Sequence, residues 1–438
     1  MHNEAVDSTQ IRRVARGGIS AFAIYMAGVG LAYCSQLAIA RIVSAETYGI
    51  YAYVLAWMSV LAYLSALGFD TALLRFLPAY ETERAWPLLR GVIQYAERRA
   101  TLVGTVVIVI GVSVVMLRAE SLSPALKDTF LIGFTLVPVW ALLWIRCSVA
   151  RAFGGVVSAV APDRIVRDGV LLTLVFIASW GLGWNVDAPF VMMATFFSSA
   201  LALGTATTAV RRLQPGAFAN ALPAYAASTW RLTALPLVVI GATGILMNRT
   251  GVLLLGWIGD TKSAGVYSLA FSIAFVVALP QTAINTLFAP TVSILFTRKD
   301  QAMLQVLITK SSSWNLCAAA FIGASLLILA EPLLAWFGED YMAGVPALRI
   351  LLVGQVIAAS AGSQMHVMTM TGNERGAAAL LIAGALGNII AGVALIYLYG
   401  LVGAAIASTM TLIVWNVAMA LFIWRRLNLL SGVLALFR

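Results

Sequence analysis

The chain is poor in charged residues, cysteine and histidine. Only 11% of its 438 residues are Asp, Glu, Lys or Arg, whereas about 25% is usual for a soluble domain. The three cysteines stand singly, without a C-x-x-C pair or a neighbouring histidine, so neither a disulfide framework nor a cysteine metal site is supported. With two histidines in the sequence, multi-ligand zinc chemistry is excluded as well. The sequence therefore predicts no metal site and no cofactor.

Apolar residues take the place of the missing charge. They make up 61% of the chain, which is more than a soluble fold can bury. The 28 Lys and Arg against 18 Asp and Glu give a formal net charge of +10, a balance that in a soluble protein would indicate a nucleic-acid partner. Here the basic residues fall between apolar runs, so they indicate membrane topology and no nucleic acid is expected.

Apolar stretches of about 20 residues predict an all-α polytopic membrane protein with about 12 transmembrane helices. The predicted spans lie at about 17–40, 49–69, 100–117, 129–147, 169–185, 190–210, 232–257, 265–288, 311–330, 346–370, 377–398 and 403–424. The first run is too long for the apolar core of a signal peptide, so it is interpreted as a span. The longest predicted connection runs from Asp70 to Arg99, which is too short for a soluble catalytic domain, so no enzyme is expected.

The positions of the basic residues predict the orientation. When twelve spans are assigned, most of the 28 Lys and Arg fall on one side of the membrane. The exceptions are Arg249, inside a span, and the residues on the opposite side, Arg41, Arg118, Lys127, Lys262 and Arg349. Under the positive-inside rule this distribution places both termini in the cytoplasm.

An internal repeat supports a division into two halves. Gly49-Ile50-Tyr51 opens the second span and Gly265-Val266-Tyr267 opens the eighth, about half the chain length apart. Together with the span count, this match predicts two six-helix bundles, residues 1–215 and 216–438. Because each half has an even number of spans, the repeats should share one orientation, with the transport pathway between them.

Several of these segments carry a family resemblance. They are residues 40–51 (ARIVSAETYGIY), Gly68-Phe69, Arg75, 265–270 (GVYSLA) and 399–405 (YGLVGAA). The chain resembles bacterial polysaccharide (oligosaccharide-lipid) flippases of the O-antigen and exopolysaccharide type. That family belongs to a superfamily shared with multidrug (MATE) transporters and the lipid II flippase, whose two extra C-terminal spans are missing here. Many family members carry an acidic residue where Arg249-Thr250-Gly251 stands, so substrate details do not transfer at that position.

The resemblance implies a MATE-like fold and an alternating-access flippase of the cell inner membrane. Its substrate would be an undecaprenyl-diphosphate-linked oligosaccharide, moved from the cytoplasmic to the periplasmic leaflet. The implied partners are this substrate, membrane lipids, and the polysaccharide polymerase and export machinery. Coupling to protons or to sodium is left open.

Arg249 is the main candidate for substrate binding. It lies eight residues before Trp257, about 12 Å into a hydrocarbon core that is about 30 Å thick. Arginine at that depth costs about 2.5 to 3.5 kcal/mol on insertion scales, so it should face a cavity or a partner. We expect Arg249, with Asn248 beside it, either to bind the substrate diphosphate or to form a structural ion pair or hydrogen-bond network.

The other candidates also have two interpretations each. Asp70 and Arg75, at the predicted inner end of span two, could pair with each other or contact an incoming headgroup. Arg146 and Arg151, at the inner end of span four, could bind phosphate or only reflect the positive-inside bias. The amides inside predicted spans could bind sugar hydroxyls or join helices; they are Gln36, Gln281, Asn285, Asn315, Gln355, Gln364, Asn388 and Asn416.

Two other functions are weighed against the flippase. A cation-coupled multidrug antiporter generally needs a carboxylate inside the membrane, and no acidic residue falls in the predicted spans apart from Asp70 at the edge of one. A membrane enzyme of polysaccharide polymerisation or ligation should carry catalytic residues on a large periplasmic loop, whereas the predicted outer segments are short. Both observations favour a carrier of an anionic substrate.

Overall fold

Helices form all the regular secondary structure in the computed structural model, which describes residues 26–216 and 221–432. Within these ranges, nine helices are long and apolar enough to cross a membrane. A helix satisfies its backbone hydrogen bonds internally, which is the requirement for a segment that lies in lipid. The prediction of an all-α polytopic membrane protein is confirmed.

The described residues of the first half form eight helices, and several of these begin with a side-chain cap. The helices are α1 (Met26–Ile42), α2 (Ala45–Ala66), α3 (Phe69–Thr82), α4 (Trp86–Leu117), α5 (Pro124–Ala152), α6 (Val156–Ala161), α7 (Arg167–Phe176) and α8 (Ala188–Leu213). The side chains of Ser123 and Asp187 accept hydrogen bonds from backbone N–H groups in the first turns of α5 and α8. A π-helical turn, Pro162–Val166, joins α6 to α7, and a second one, Ile177–Gly181, ends the run.

The second half of the chain also consists of helices, and side chains again cap the start of some of them. Its helices are α9 (Ala227–Trp257), α10 (Thr261–Phe275), α11 (Leu279–Thr297), α12 (Gln301–Ile328), α13 (Ala330–Phe337), α14 (Val345–Ala361), α15 (Gln364–Met370) and α16 (Glu374–Leu427). Asp260 and Asp300 cap α10 and α12. Gly400 interrupts α16 with φ 54° and ψ −129°, a conformation that favours glycine. The two parts of α16 therefore correspond to the last two predicted spans.

Several predicted spans have different limits in the structure, and two of them begin more than ten residues earlier than predicted. The helix of the predicted span 100–117 begins at Trp86, so the predicted connection from Asp70 to Arg99 consists largely of α3 and the start of α4. The predicted span 169–185 belongs to a helical run that begins at Val156. The predictions were short because they followed apolar residues, whereas a helix also continues through charged residues outside the hydrocarbon. For the first predicted span, 17–25 lies outside the described residues.

The described residues group into two compact units. The first is drawn from 26–39 and Met58–Gly241, and the second from Ala40–Trp57 and 242–432. In the core of the first unit the indole N–H of the fully buried Trp230 donates to the Tyr80 hydroxyl at 2.9 Å. In the second unit Phe288, Val292 and Ile423 are among the buried residues of a separate cluster. The predicted boundary near residue 215 stays a prediction.

The glycines of the internal repeat meet inside the second unit. A Cβ atom placed on Gly49 would lie 1.8 Å from the carbonyl oxygen of Thr261, and one placed on Gly265 would lie 2.7 Å from the backbone nitrogen of Gly49. Both distances are far below van der Waals contact, so the helices approach this closely only because neither residue has a side chain. Tyr51 and Tyr267, two residues beyond each glycine, are both fully buried.

Candidate functional site

Arg249 and Asn248 lie on α9 and face different surroundings. Arg249 is partly buried and lies near the buried hydroxyl of Tyr48, which hydrogen bonds to Ser268. Asn248 is exposed, and its Nδ2 donates to the carbonyl oxygen of Gly244 at 3.0 Å. A role for Arg249 in binding diphosphate stays a prediction.

Asn248 forms part of the lining of a cavity inside the second unit. The cavity has a volume of about 140 Å³. Its lining comes from α9, α10, α14 and α16 and consists of Gly244, Met247, Asn248, Phe271, Leu351, Gln355, Leu381, Asn388, Ser408, Thr409, Leu412 and Trp415. All of these residues are uncharged. A charged ligand would find no counterion among them, so the chemistry of the lining suits a neutral polar molecule.

Several polar groups of this lining are already engaged by the protein. Asn388 is 2% exposed, and its Nδ2 donates to the carbonyl oxygen of Met247 at 3.3 Å. Ser408 shares a hydrogen bond of 2.8 Å with the Tyr267 hydroxyl. The indole N–H of Trp415 differs, because it is buried and has no hydrogen-bond partner among the described residues.

Arg146 lies in the first unit, where it is bound by an acidic residue that the sequence analysis had placed in a connection. Its Nε lies 2.8 Å from Oε1 of Glu97 and its Nη2 donates to Oε2 at 3.0 Å. The pair forms part of a groove of about 570 Å³ along α4, α5 and α8. Glu97 precedes the end of α4 at Leu117 by 20 residues, or about 30 Å, so the pair lies near one boundary of a hydrocarbon core. Since Glu97 neutralises Arg146, the geometry favours a structural role.

Asp70 and Arg75 do not form the ion pair that their spacing allowed. Within the described part of the chain, the Asp70 carboxylate accepts a hydrogen bond from the Thr71 hydroxyl at 3.1 Å, while its Oδ1 is buried without a hydrogen-bond partner. Tyr63 lies beside the same carboxyl group. Arg75 is exposed, and so is Arg151 at the end of α5. These two arginines remain accessible to a ligand.

Gln281 and Asn285 join helices. Gln281 Nε2 donates to the carbonyl oxygen of Gly362 at 3.1 Å, and Asn285 accepts a hydrogen bond from the Ser363 hydroxyl. Both contacts reach the break between α14 and α15 from α11, which favours the helix-joining interpretation of these two amides. Gln36 is partly buried on α1.

A charged cluster that the sequence analysis missed lies where α6 meets α7. Arg167 binds Asp163 at 2.6 Å and Asp168 at 3.0 Å, and its guanidinium lies 5.7 Å from the centre of the Trp140 ring. Asp168 is only 6% exposed. Asp168 lies one residue before the predicted span 169–185 and about 20 Å from the end of the helical run at Gly181, so a paired carboxylate borders this span. The i,i+4 spacing of Asp163 and Arg167 was the available signal.

The apolar helices define a polytopic membrane protein. The chain is similar to an inward-facing multidrug resistance MATE family transporter of the MOP superfamily, with a TM-score of 0.73 and 12% identity, over 94% of this chain and 98% of that one. It is similar to the lipid II flippase MurJ in an inward closed conformation, with a TM-score of 0.68 and 14% identity over 92% and 87% of the two chains. A MOP superfamily transporter from Pyrococcus furiosus gives a TM-score of 0.61 and 14% identity over 97% and 96%. The MATE-like fold is thus confirmed.

The family is shown by the sequence itself. Residues 14–296 match the model of the family described as "Polysaccharide biosynthesis protein", and the chain belongs to this family. No curated protein matches the chain in sequence. The resemblance identified from the helix-end motifs is confirmed.

Proposed function

We propose that the protein is a flippase for an undecaprenyl-diphosphate-linked oligosaccharide, such as a repeat unit of exopolysaccharide, capsule or O-antigen. The protein moves this lipid from the cytoplasmic to the periplasmic leaflet of the inner membrane by alternating access. The observation that carries the proposal is the joint occurrence of polysaccharide-biosynthesis family membership over residues 14–296 and a MOP transporter fold in one chain. Polysaccharide repeat units must cross the membrane, and this fold is that of a membrane carrier.

The charges on the helices support an anionic substrate. Glu97 is held by Arg146, and Asp163 and Asp168 are held by Arg167, so these carboxylates are not free to exchange a cation. A cation-coupled multidrug antiporter would need such a free carboxylate. Within the described residues Asp70 makes no ion pair, which makes it the carboxylate to examine for coupling.

Arg249 is proposed to hold the substrate diphosphate. A guanidinium offers a planar set of donors that matches phosphate oxygens, and Arg249 stands about 12 Å from the end of α9 at Trp257. Arg75, in the middle of α3, and Arg151, at the end of α5, are exposed on segments that the sequence predicts to be cytoplasmic, where they would contact the diphosphate first. Arg146 is assigned a structural role instead.

The test is to measure flipping in proteoliposomes that contain the lipid-linked oligosaccharide. A membrane-impermeant reagent that labels the glycan reports the fraction in the outer leaflet over time. We expect the wild type to accelerate the exchange and Arg249→Ala to slow it by about 10-fold or more, since a hydrogen bond to a charged group contributes about 1.5 to 3 kcal/mol. Arg298→Ala, an exposed arginine at the end of α11, is the control and should keep the wild-type rate.

Two results would contradict the proposal. If the wild type leaves the exchange rate unchanged, the protein does not flip this lipid. If it instead moves a lipophilic cation such as ethidium in response to a proton or sodium gradient, the antiporter is the correct function.

A further inference from the structure

The cavity of the second unit lies at the depth that a translocated headgroup must pass. Asn248 precedes the end of α9 at Trp257 by about 14 Å, and Gln355 follows the start of α14 at Val345 by about 15 Å. Asn388 and Ser408 lie about 18 Å and 12 Å from Gly400, the break in α16. The sequence places all three helix ends on the periplasmic side. The polar groups therefore gather about halfway across a hydrocarbon core about 30 Å thick.

The available hydrogen-bonding groups match those of a sugar. Asn248 and Asn388 each use Nδ2 within the protein, which leaves both carbonyl oxygens to accept from hydroxyl groups. Among the hydrogen bonds of the described residues, none involves the amide of Gln355, and the buried indole N–H of Trp415 has no partner there. The rings of Trp415 and Phe271 add apolar faces to the same cavity, and a pyranose has both hydroxyl edges and apolar C–H faces.

The volume of the cavity and the charge of its lining restrict which ligand it can bind. At about 140 Å³, the cavity is on the scale of one sugar ring and corresponds to four or five waters at about 30 Å³ each. Its uncharged lining is unsuited to a phosphate or a cation. Because Asn248 is exposed, the cavity reaches the surface of the unit at that residue.

We infer that this cavity is a binding subsite for one uncharged sugar of the substrate glycan, with Trp415 and Gln355 as hydrogen-bonding residues. The inference rests on the proposed function, because it assigns a place to the headgroup of the lipid-linked oligosaccharide. Substrate recognition is then divided between Arg249, which binds the diphosphate, and the neutral cavity, which binds the sugar.

Trp415→Phe is the sharpest variant for testing the subsite. It keeps an aromatic ring in the cavity and removes an N–H that has no partner in the protein, so folding should not suffer. Gln355→Met is the second variant, since it preserves the side-chain length and removes the polar groups. Trp424→Phe, on the same helix but exposed and outside the cavity lining, is the matched control.

The experiment compares two probes on the purified full-length protein in detergent. One probe is the lipid-linked oligosaccharide extracted from cells that lack this protein, and the other is undecaprenyl diphosphate without sugar. We expect the wild type and the control to prefer the first probe. Trp415→Phe and Gln355→Met should each bind it about 3- to 10-fold more weakly, as expected for one lost neutral hydrogen bond. Their affinity for the sugar-free lipid should be unchanged.

The outcomes separate this inference from the proposed function. If both variants bind the glycan-linked lipid as the wild type does, the cavity holds only water and the inference is wrong, while flipping by the wild type still supports the function. Equal losses for both probes would also overturn it, since the cavity would then act on the lipid or on the fold. If the wild type binds both probes equally, it does not recognise the sugar and the inference is wrong. If the wild type flips neither lipid, the proposed function itself is contradicted.

Discussion

Substitutions in the ion pair between Glu97 and Arg146 measure how much the stability of the first unit depends on charges near the hydrocarbon boundary. The perturbations are Glu97→Gln and Arg146→Gln, each alone, and the exchange that places Arg at 97 and Glu at 146. The pair has two contacts, of 2.8 and 3.0 Å, and side chains that are 20% and 25% exposed. Removing one partner of a fully buried pair costs about 3 to 5 kcal/mol, whereas exposed pairs contribute below about 1 kcal/mol. For this partly screened pair we expect a loss of about 2 kcal/mol for each single variant.

Thermal unfolding of the purified protein in detergent measures the effect, and a double-mutant cycle isolates the coupling. Both single variants should unfold at lower temperature, and the exchanged pair should recover most of the loss. Flipping assays on the same proteins then test the structural role assigned to Arg146. An exchanged variant with restored stability and wild-type flipping supports that role, and restored stability without flipping would show that Arg146 contacts the substrate. Single variants that unfold like the wild type would refute the reasoning on stability.

Three further predictions concern the fold. Gly49→Ala should strongly reduce folded yield in membranes, because its Cβ would overlap a carbonyl oxygen at 1.8 Å, whereas Gly30→Ala, with open space at its Cβ, should fold normally. Gly400→Ala should lower the free energy of unfolding by about 1 to 3 kcal/mol through backbone strain, whereas Gly387→Ala, in a regular part of the same helix, should be neutral or stabilising in the same thermal assay. Arg167→Met should cost about 3 to 5 kcal/mol, since it leaves the buried Asp168 carboxylate without its counterion, while Asp163 keeps Arg164 at 3.4 Å. Unchanged thermal stability would contradict this.

The positions of the helices could be predicted because long apolar runs have one stable arrangement in lipid. The family could be predicted as well, since its motifs are glycines and small residues at helix ends. Gly49 and Gly265 show what these glycines do, as each must lack a side chain for the two helices to touch. The helix ends were less predictable. Residues 86–99 carry charges that a hydropathy window rejects, yet they continue α4 because nothing in them stops a helix.

The binding residues were harder to predict, because their role depends on contacts that sequence distance hides. Gln281 and Asn285 were as plausible as Gln355 from their position in a span, but packing uses the first two to join helices and leaves the third in a cavity. Trp415 gave no signal, since an indole in an apolar helix is ordinary until its N–H is found buried without a partner among the described residues.

The carboxylates that pair with arginines bear on whether transport is coupled to a cation. The sequence favoured an anionic substrate because no acidic residue lies near the middle of a predicted span, and the structure adds that Asp168, one residue before such a span, is bound by Arg167. The expectation of an anionic substrate therefore depends on carboxylates that are paired with arginines, and not on a lack of carboxylates. An arginine that is paired with a carboxylate prevents that carboxylate from binding a transported cation. If the ion pair opened during the transport cycle, the carboxylate would become available to the cation. Because Arg167 keeps its pair with Asp163, we expect Asp168→Asn to lower stability less than Arg167→Met does and to leave flipping intact. Loss of flipping in a variant that still folds would show instead that the ion pair opens during transport.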